Sequence, residues 1–139
     1  MRSGDARAGR RRGAAGFTLI ELLVVVAIVG ILAGIVVGQY QRSIQKAKEA
    51  VLKENLFRTR SAINQYFADK GRYPSDLQAL VEDSYLRALP VDPLTGGNDS
   101  WIIDMAELDD TDITTEPGMA DLHSGAPGSG LDGTPYSEW

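Results

Sequence analysis

Cysteine is absent from the 139-residue sequence, and histidine occurs once, at His123. The absence of cysteine excludes disulfides, zinc fingers and cysteine nucleophiles, and a lone histidine excludes metal sites built from several histidines. The sequence also contains no G-x-S-x-G motif and no phosphate-binding loop. Because the residues of the common catalytic centres are missing, the sequence predicts a protein that is not an enzyme.

Basic residues are absent from the last third of the chain. No lysine or arginine follows Arg87, whereas ten acidic residues lie between Asp99 and Glu138, and the formal net charge is -5. An acidic surface repels a phosphate backbone, so no nucleic acid partner is expected. Residues 1–16, in contrast, contain five arginines and one acid. Charges are therefore segregated along the chain in a way that is unusual for a cytosolic globular enzyme.

Charge is nearly absent from residues 17–38, where Glu21 is the one ionisable side chain. As a helix these 22 residues measure about 33 Å, which is enough to cross the hydrocarbon core of a bilayer. An arginine-rich segment before an apolar run is typical of membrane targeting, and its arginines keep residues 1–16 in the cytoplasm. No small-residue cleavage site follows Gly38, so we expect the apolar run to be retained as a transmembrane segment.

Proline is absent between Met1 and Arg72, so no proline interrupts a helix that begins in the apolar run. Beyond residue 39, apolar residues recur at three- and four-residue steps, with charged residues between them: Lys46, Lys48, Glu49, Lys53, Glu54, Arg58 and Arg60. This period is typical of an amphipathic helix. We predict one long helix from about Thr18 to about Asp69, with Gly71 closing it.

The rest of the sequence predicts only short elements. They are a helix that begins at a Ser75–Gln78 capping box and ends at about Asp83, and strands over residues 100–105 and 119–123. A loop rich in glycine and proline follows over residues 124–135, and we expect Tyr136 and Trp139 to pin the C-terminal residues to the core.

These elements predict an α+β fold, in which a long N-terminal helix packs on a small head with a short antiparallel sheet and a loop-rich C-terminus. The predicted parts are a basic leader that is removed (1–16), the transmembrane half of the helix (17–38), its amphipathic half (39–70) and a small head (71–139).

Two interpretations of Glu21 are compatible with the sequence. With Thr18 it forms a capping box at the start of the helix, near the interface, where the cost of a carboxylate is small. Alternatively, Glu21 awaits a cation from another chain, because an acidic side chain at bilayer depth costs about 2.5–3.5 kcal/mol. Both interpretations can hold at different stages of assembly.

The motif Gly16-Phe17-Thr18-Leu19-Ile20-Glu21, behind an arginine-rich leader, resembles the prepilin signature of type IV pilins and type II secretion pseudopilins. The resemblance implies that a prepilin peptidase of the inner membrane cuts after Gly16 and methylates the new N-terminal amine of Phe17. It also implies that this amine pairs with the Glu21 carboxylate of an adjacent subunit in a filament.

The head resembles the major (G-type) pseudopilin of type II secretion in three stretches, which are residues 66–74 (YFADKGRYP), 77–80 and 85–93 (YLRALPVDP). The resemblance implies a structural subunit of a helical periplasmic pseudopilus that drives protein secretion. Its implied partners are identical subunits, minor pseudopilins, the prepilin peptidase and an inner-membrane assembly platform with its ATPase. The chain would sit in the inner membrane, head in the periplasm, before joining the filament.

Two alternatives to a secretion pseudopilus stay open. One is a type IV pilin of a surface pilus that serves adhesion, motility or DNA uptake; pilin heads usually contain a disulfide loop, and this chain has no cysteine. The other, from a different class, is a periplasmic binding or enzymatic domain anchored by its signal segment.

The resemblance to G-type pseudopilins further implies a Ca²⁺ site in the last loops, for which Asp121, Ser124, Asp132 and Thr134 are the candidate ligands. The adjacent aspartate pair of the family's final loop is absent here, since Asp132 stands alone. A second acidic candidate is the Asp110-x-Asp112-x-Thr114 stretch, which has only the start of an EF-hand pattern. A solvated acidic loop is the alternative. If calcium binds, we expect it to raise the melting temperature of the head.

Overall fold

The computed structural model describes residues 15–107 and 117–139. Its elements are helix α1 (Leu19–Lys70), helix α2 (Leu77–Glu82), strands β1 (Trp101–Met105) and β2 (Met119–Ser124), and a 3-10 turn at Tyr136–Glu138. The described chain divides between Gln39 and Tyr40 into two compact units. The predicted α+β class is confirmed.

Helix α1 is 52 residues long, and its two ends have identifiable causes. At the start, the main-chain N–H of Glu21 donates to Thr18 Oγ1 at 3.2 Å, which is the hydrogen bond of an N-terminal cap. At the end, Gly71 adopts a φ of 69°, and its N–H donates to the carbonyl of Phe67 at 2.8 Å. Glycine adopts this left-handed conformation without strain, so it closes the helix. The predicted helix, about Thr18 to about Asp69, is confirmed to within one residue at each end.

The second unit has one hydrophobic core, to which α1 contributes a single face. Leu52, Leu56, Ala62, Ile63 and Tyr66 are buried there, at spacings that bring them to one side of the helix. They pack with residues of the head: Leu80, Trp101, Met119, Leu122, Ala126 and Tyr136. Fully burying a large apolar side chain contributes about 1.5–3 kcal/mol, so this cluster is the main source of stability of the unit.

Strands β1 and β2 form a two-stranded antiparallel sheet. The register pairs Trp101 with Ser124 and Asp104 with Asp121, and an irregularity follows before Met105 pairs with Met119. Both predicted strands are confirmed. Part of the connection between them, residues 108–116, lies outside the described residues, as does the Asp110–Asp112–Thr114 stretch.

The cap of α2 differs from the sequence prediction. Asp76, rather than Ser75, is the N-cap residue: its backbone is extended, and its side chain accepts a hydrogen bond from the N–H of Ala79 at 2.8 Å. The helix therefore begins at Leu77, one residue later than a Ser75 cap requires. An aspartate at this position also interacts favourably with the helix dipole, which a serine does not.

Candidate assembly site and the carboxylates of the head

The Gly16–Phe17 peptide bond lies just before α1 in an exposed stretch of chain. The side chain of Phe17 is 84 % exposed, and no heavy atom lies within 4 Å of the point where a Cβ on Gly16 would stand. The described part of the chain therefore leaves this bond uncovered. Because Gly16 has no side chain, the bond is uncovered on the side to which a Cβ would project.

Glu21 occupies the first turn of α1, where the helix dipole favours a negative charge. Its main-chain N–H makes the Thr18 half of the predicted capping box. Its carboxylate is exposed, and the described residues show no hydrogen bond or ion pair to it.

The first half of α1 presents apolar side chains on every side. Among the described residues, one helix is long and apolar enough to cross a membrane, and none of the residues in its apolar window is buried within the chain. The exposed side chains include Leu19, Ile20, Leu22, Val26, Ile31 and Val37. So much exposed apolar surface needs lipid or other chains to cover it.

In the head, Asp121 is paired with an arginine from α1. Its Oδ1 accepts hydrogen bonds from Arg60 Nε at 2.6 Å and from the N–H of Leu122 at 2.7 Å. His123 lies on the same strand, with its Nε2 3.1 Å from Asp104 Oδ2 and 3.8 Å from Asp121 Oδ2. This predicted calcium ligand therefore has an internal cation as its closest charged partner.

Ser124 is fully buried, and its hydroxyl donates to Asp92 Oδ2 at 2.5 Å. The same hydroxyl oxygen accepts a hydrogen bond from the N–H of Ala126. Asp92 is also fully buried, and its Oδ1 accepts from the N–H of Leu94 at 2.8 Å. Sequence reasoning missed this carboxylate, for which the only signal was its place in the turn Leu89-Pro90-Val91-Asp92-Pro93.

Asp132 and Thr134 belong to a turn near the C-terminal end. Asp132 Oδ1 accepts a hydrogen bond from the N–H of Thr134 at 3.0 Å, and this bond holds the pKa of the carboxyl below its ordinary value. Gly133 lies between them with a φ of 85°.

The four predicted calcium ligands thus have three different sets of partners. In the part of the chain that the structure describes, no three histidine or acidic side chains form a group that could hold a metal ion. Ca²⁺ takes six to eight oxygen ligands, and no hydrogen bond among the described residues links all four residues into one group. Calcium binding stays a prediction.

Glu49 is a second carboxylate that the sequence did not single out. It is 8 % exposed, and its Oε1 accepts hydrogen bonds from the Tyr136 hydroxyl at 2.9 Å, the N–H of Leu131 at 3.0 Å and Gln45 at 3.0 Å. Burial, together with the Glu49 carboxylate, raises the pKa of Tyr136. The sequence did contain a signal: Glu49 is three residues before Leu52, on the apolar face of α1.

The model of the prokaryotic N-terminal methylation motif matches residues 11–37, which include the Gly16–Phe17 bond and Glu21. This match confirms the predicted prepilin signature and defines the class of protein.

Two relatives identify the family within this class of proteins. The type II secretion system core protein G of Pseudomonas aeruginosa is 41 % identical over an aligned length of 100 residues, and the match covers 60 % of this chain and 70 % of that protein. The protein of the same name from Vibrio cholerae is 32 % identical over 138 residues, covering 88 % of this chain and 92 % of its own length. The chain belongs to the family of the type II secretion system core protein G. No solved structure matches it.

Proposed function

We propose that this chain is a structural subunit of the helical periplasmic pseudopilus of a type II secretion system. The observation that carries the proposal is the combination of an exposed apolar helix, an exposed carboxylate in its first turn and a match to the methylation motif. Relatives named for the core of that system support the same assignment. The role is mechanical: added subunits extend a filament that pushes exoproteins outward.

In this proposal, cleavage after Gly16 creates a cationic amine on Phe17, which the peptidase then methylates. The amine stands at the positive end of the helix dipole, so it gains from a carboxylate placed beside it. The carboxylate is Glu21 of the neighbouring subunit. Two groups that are each costly in lipid then form one pair, and docking out of register leaves one of them unpaired. The pair therefore sets the axial register of assembly.

The proposed location follows from the order of charged and apolar segments. Before assembly the apolar half of α1 spans the inner membrane, with the arginine-rich residues on the cytoplasmic side and the acidic head in the periplasm. The proposed partners are identical subunits, minor pseudopilins, the prepilin peptidase and the inner-membrane platform with its ATPase.

The experiment is a comparison of Glu21→Leu with Glu54→Leu. Both changes remove one carboxylate from α1, but Glu54 lies in the second unit, is exposed and pairs with Arg58 one turn away. Removing one partner of a buried ion pair typically costs about 3–5 kcal/mol, whereas an exposed pair contributes less than about 1 kcal/mol. We expect Glu21→Leu to be inserted and processed but to give few filaments in the periplasmic fraction, while Glu54→Leu assembles as the native chain does. Equal filament yields from the two variants would contradict the proposed pairing.

A surface type IV pilin is the second candidate, favoured by one relative. Fimbrial protein EcpC of Eikenella corrodens is 35 % identical over an aligned length of 81 residues, and the match covers 55 % of this chain and 53 % of that protein. Neighbouring genes for a secretin and a secretion platform would favour the pseudopilus, and a gene for a retraction ATPase would favour the pilus.

A further inference from the structure

The guanidinium group of Arg60 donates hydrogen bonds to three oxygen atoms in the C-terminal part of the head. Its Nε donates to Asp121 Oδ1 at 2.6 Å, and its Nη2 donates to the main-chain oxygens of Leu122 at 2.9 Å and Trp139 at 2.8 Å. Nη2 also lies 3.5 Å from Nδ1 of His123. One side chain of α1 is therefore bonded both to strand β2 and to the last residue.

One carboxylate and two main-chain oxygens are the kind of ligand that a calcium ion takes. In this head the positive charge at their centre is a side chain of the protein. Arginine suits the position because its planar fork presents several N–H donors in fixed directions and keeps its charge at every physiological pH. A second cation beside Asp121 would meet the charge of Arg60, which disfavours a metal ion there.

Two further α1 residues hold the same C-terminal segment, residues 129–139. Glu49 accepts hydrogen bonds from the N–H of Leu131 and the hydroxyl of Tyr136. The Nζ of Lys53 lies 4.2 Å from the centre of the Trp139 ring, a cation–π contact. Arg60 lies eleven residues after Glu49, roughly 16 Å further along the helix, so the three side chains hold the segment at several points along α1.

We propose that Arg60 takes the part of a structural cation in this head, so that the order of strand β2 and the C-terminal segment does not depend on Ca²⁺. Glycine- and proline-rich segments lose much entropy when they are ordered, and a small head needs a staple to offset that loss. In this head the guanidinium group of Arg60 on α1 supplies that stabilisation, together with Glu49 and Lys53. A calcium ion is then not required for the segment to fold.

The test uses the full chain in detergent micelles and compares Arg60→Gln with Arg58→Gln. Arg58 is the matched control because it is an exposed arginine of the same helix, whose ion pair is with Glu54 of that helix. Melting is followed by tryptophan fluorescence, since Trp101 and Trp139 both lie in the head, once with Ca²⁺ and once with a chelator. Hydrogen exchange of the amides in residues 119–139 reports the order of the segment directly.

We expect the native chain to melt within about 1 °C of the same temperature in Ca²⁺ and in chelator, since a ligand stabilises only a state that binds it. We expect Arg60→Gln to melt several degrees lower and to exchange the amides of residues 119–139 at least about tenfold faster. Without the hydrogen bonds of Arg60 the segment opens locally more often, and each opening exposes these amides to solvent. Arg58→Gln should match the native chain in both measurements. If Arg60→Gln does not fold, Arg60→Lys and Arg58→Lys replace the pair, since lysine keeps the charge but lacks the fork.

Two results would overturn the proposal. One is a saturable rise of several degrees in the melting temperature of the native chain with Ca²⁺. The other is equal melting and equal exchange for the Arg60 and Arg58 variants.

Discussion

Replacing Ser124 by alanine removes a hydroxyl that joins two parts of the head. That hydroxyl donates to the buried carboxylate of Asp92 at 2.5 Å and accepts from the N–H of Ala126 at 3.1 Å. A hydrogen bond to a charged group contributes about 1.5–3 kcal/mol, and a buried donor left without a partner costs about 1–3 kcal/mol. We therefore expect Ser124→Ala to lower the free energy of unfolding by about 2–4 kcal/mol.

The assay is thermal unfolding of the full chain in detergent micelles. In a unit of this size, 1 kcal/mol corresponds to about 4–8 °C, so the melting temperature should fall by roughly 10 °C or more. Ser100→Ala is the matched control: its hydroxyl lies 2.6 Å from that of Thr95 in an exposed position, where water replaces the lost partner. The control should cost less than about 1 kcal/mol.

A double-mutant cycle with Asp92→Ala isolates the hydrogen bond from other effects of each change. We expect a coupling energy of about 1.5–3 kcal/mol between Ser124 and Asp92, present in calcium and in chelator alike. If Ser124 acts instead as a calcium ligand, its replacement would matter only when calcium is present. A Ser124→Ala variant as stable as Ser100→Ala would refute the reasoning.

Two other predictions concern the ends of α1. Gly16→Glu should block removal of the leader and leave an inserted precursor, because a side chain then occupies the open side of the Gly16–Phe17 bond; mass spectrometry of the membrane fraction would check it, and a chain beginning at Phe17 would contradict it. Asp83→Asn should lower the melting temperature at neutral pH, because the hydrogen bond with Lys70 lowers the pKa of Asp83 and raises that of Lys70. At the acid end, the stabilisation by this pair is lost as the pH falls through the folded-state pKa of Asp83, which lies below its ordinary value near 3.8. At the alkaline end, it is lost as the pH rises through the folded-state pKa of Lys70, which lies above 10.5. The melting temperatures of the native chain and of Asp83→Asn, measured across pH, should therefore converge at the acid end.

The long helix and both strands could be predicted because their signals are local. The absence of proline before residue 74 and an unbroken apolar period define α1, and Gly71 marks its end. The motif around Phe17 and Glu21 is likewise contiguous, and the family model that matches residues 11–37 confirms it. Local signals were less exact at the α2 cap, where two neighbouring residues, Ser75 and Asp76, both have suitable side chains.

The roles of Arg60 and Glu49 could not be predicted, because their partners are far away in sequence. Asp121 is 61 residues from Arg60, and Tyr136 is 87 residues from Glu49. On the sequence alone Arg60 looks like a member of the charged, solvent-facing side of an amphipathic helix. Glu49 lies on the apolar face, three residues before Leu52, which indicates burial but does not identify its partners. These contacts form only in the folded head, where the C-terminal segment lies against α1. Ser124 likewise meets Asp92 only in the folded head.

The most direct test of the central claim is secretion in a strain that lacks the native chain. The strain is complemented with the native chain, with Glu21→Leu or with Glu54→Leu, and the fraction of a type II exoprotein that reaches the medium is measured. If the chain is a pseudopilus subunit that assembles through Glu21, the native chain and Glu54→Leu restore export, while with Glu21→Leu the folded exoprotein accumulates in the periplasm. Normal export in the strain without the chain, or full export with Glu21→Leu, would show that the chain does not act in this way.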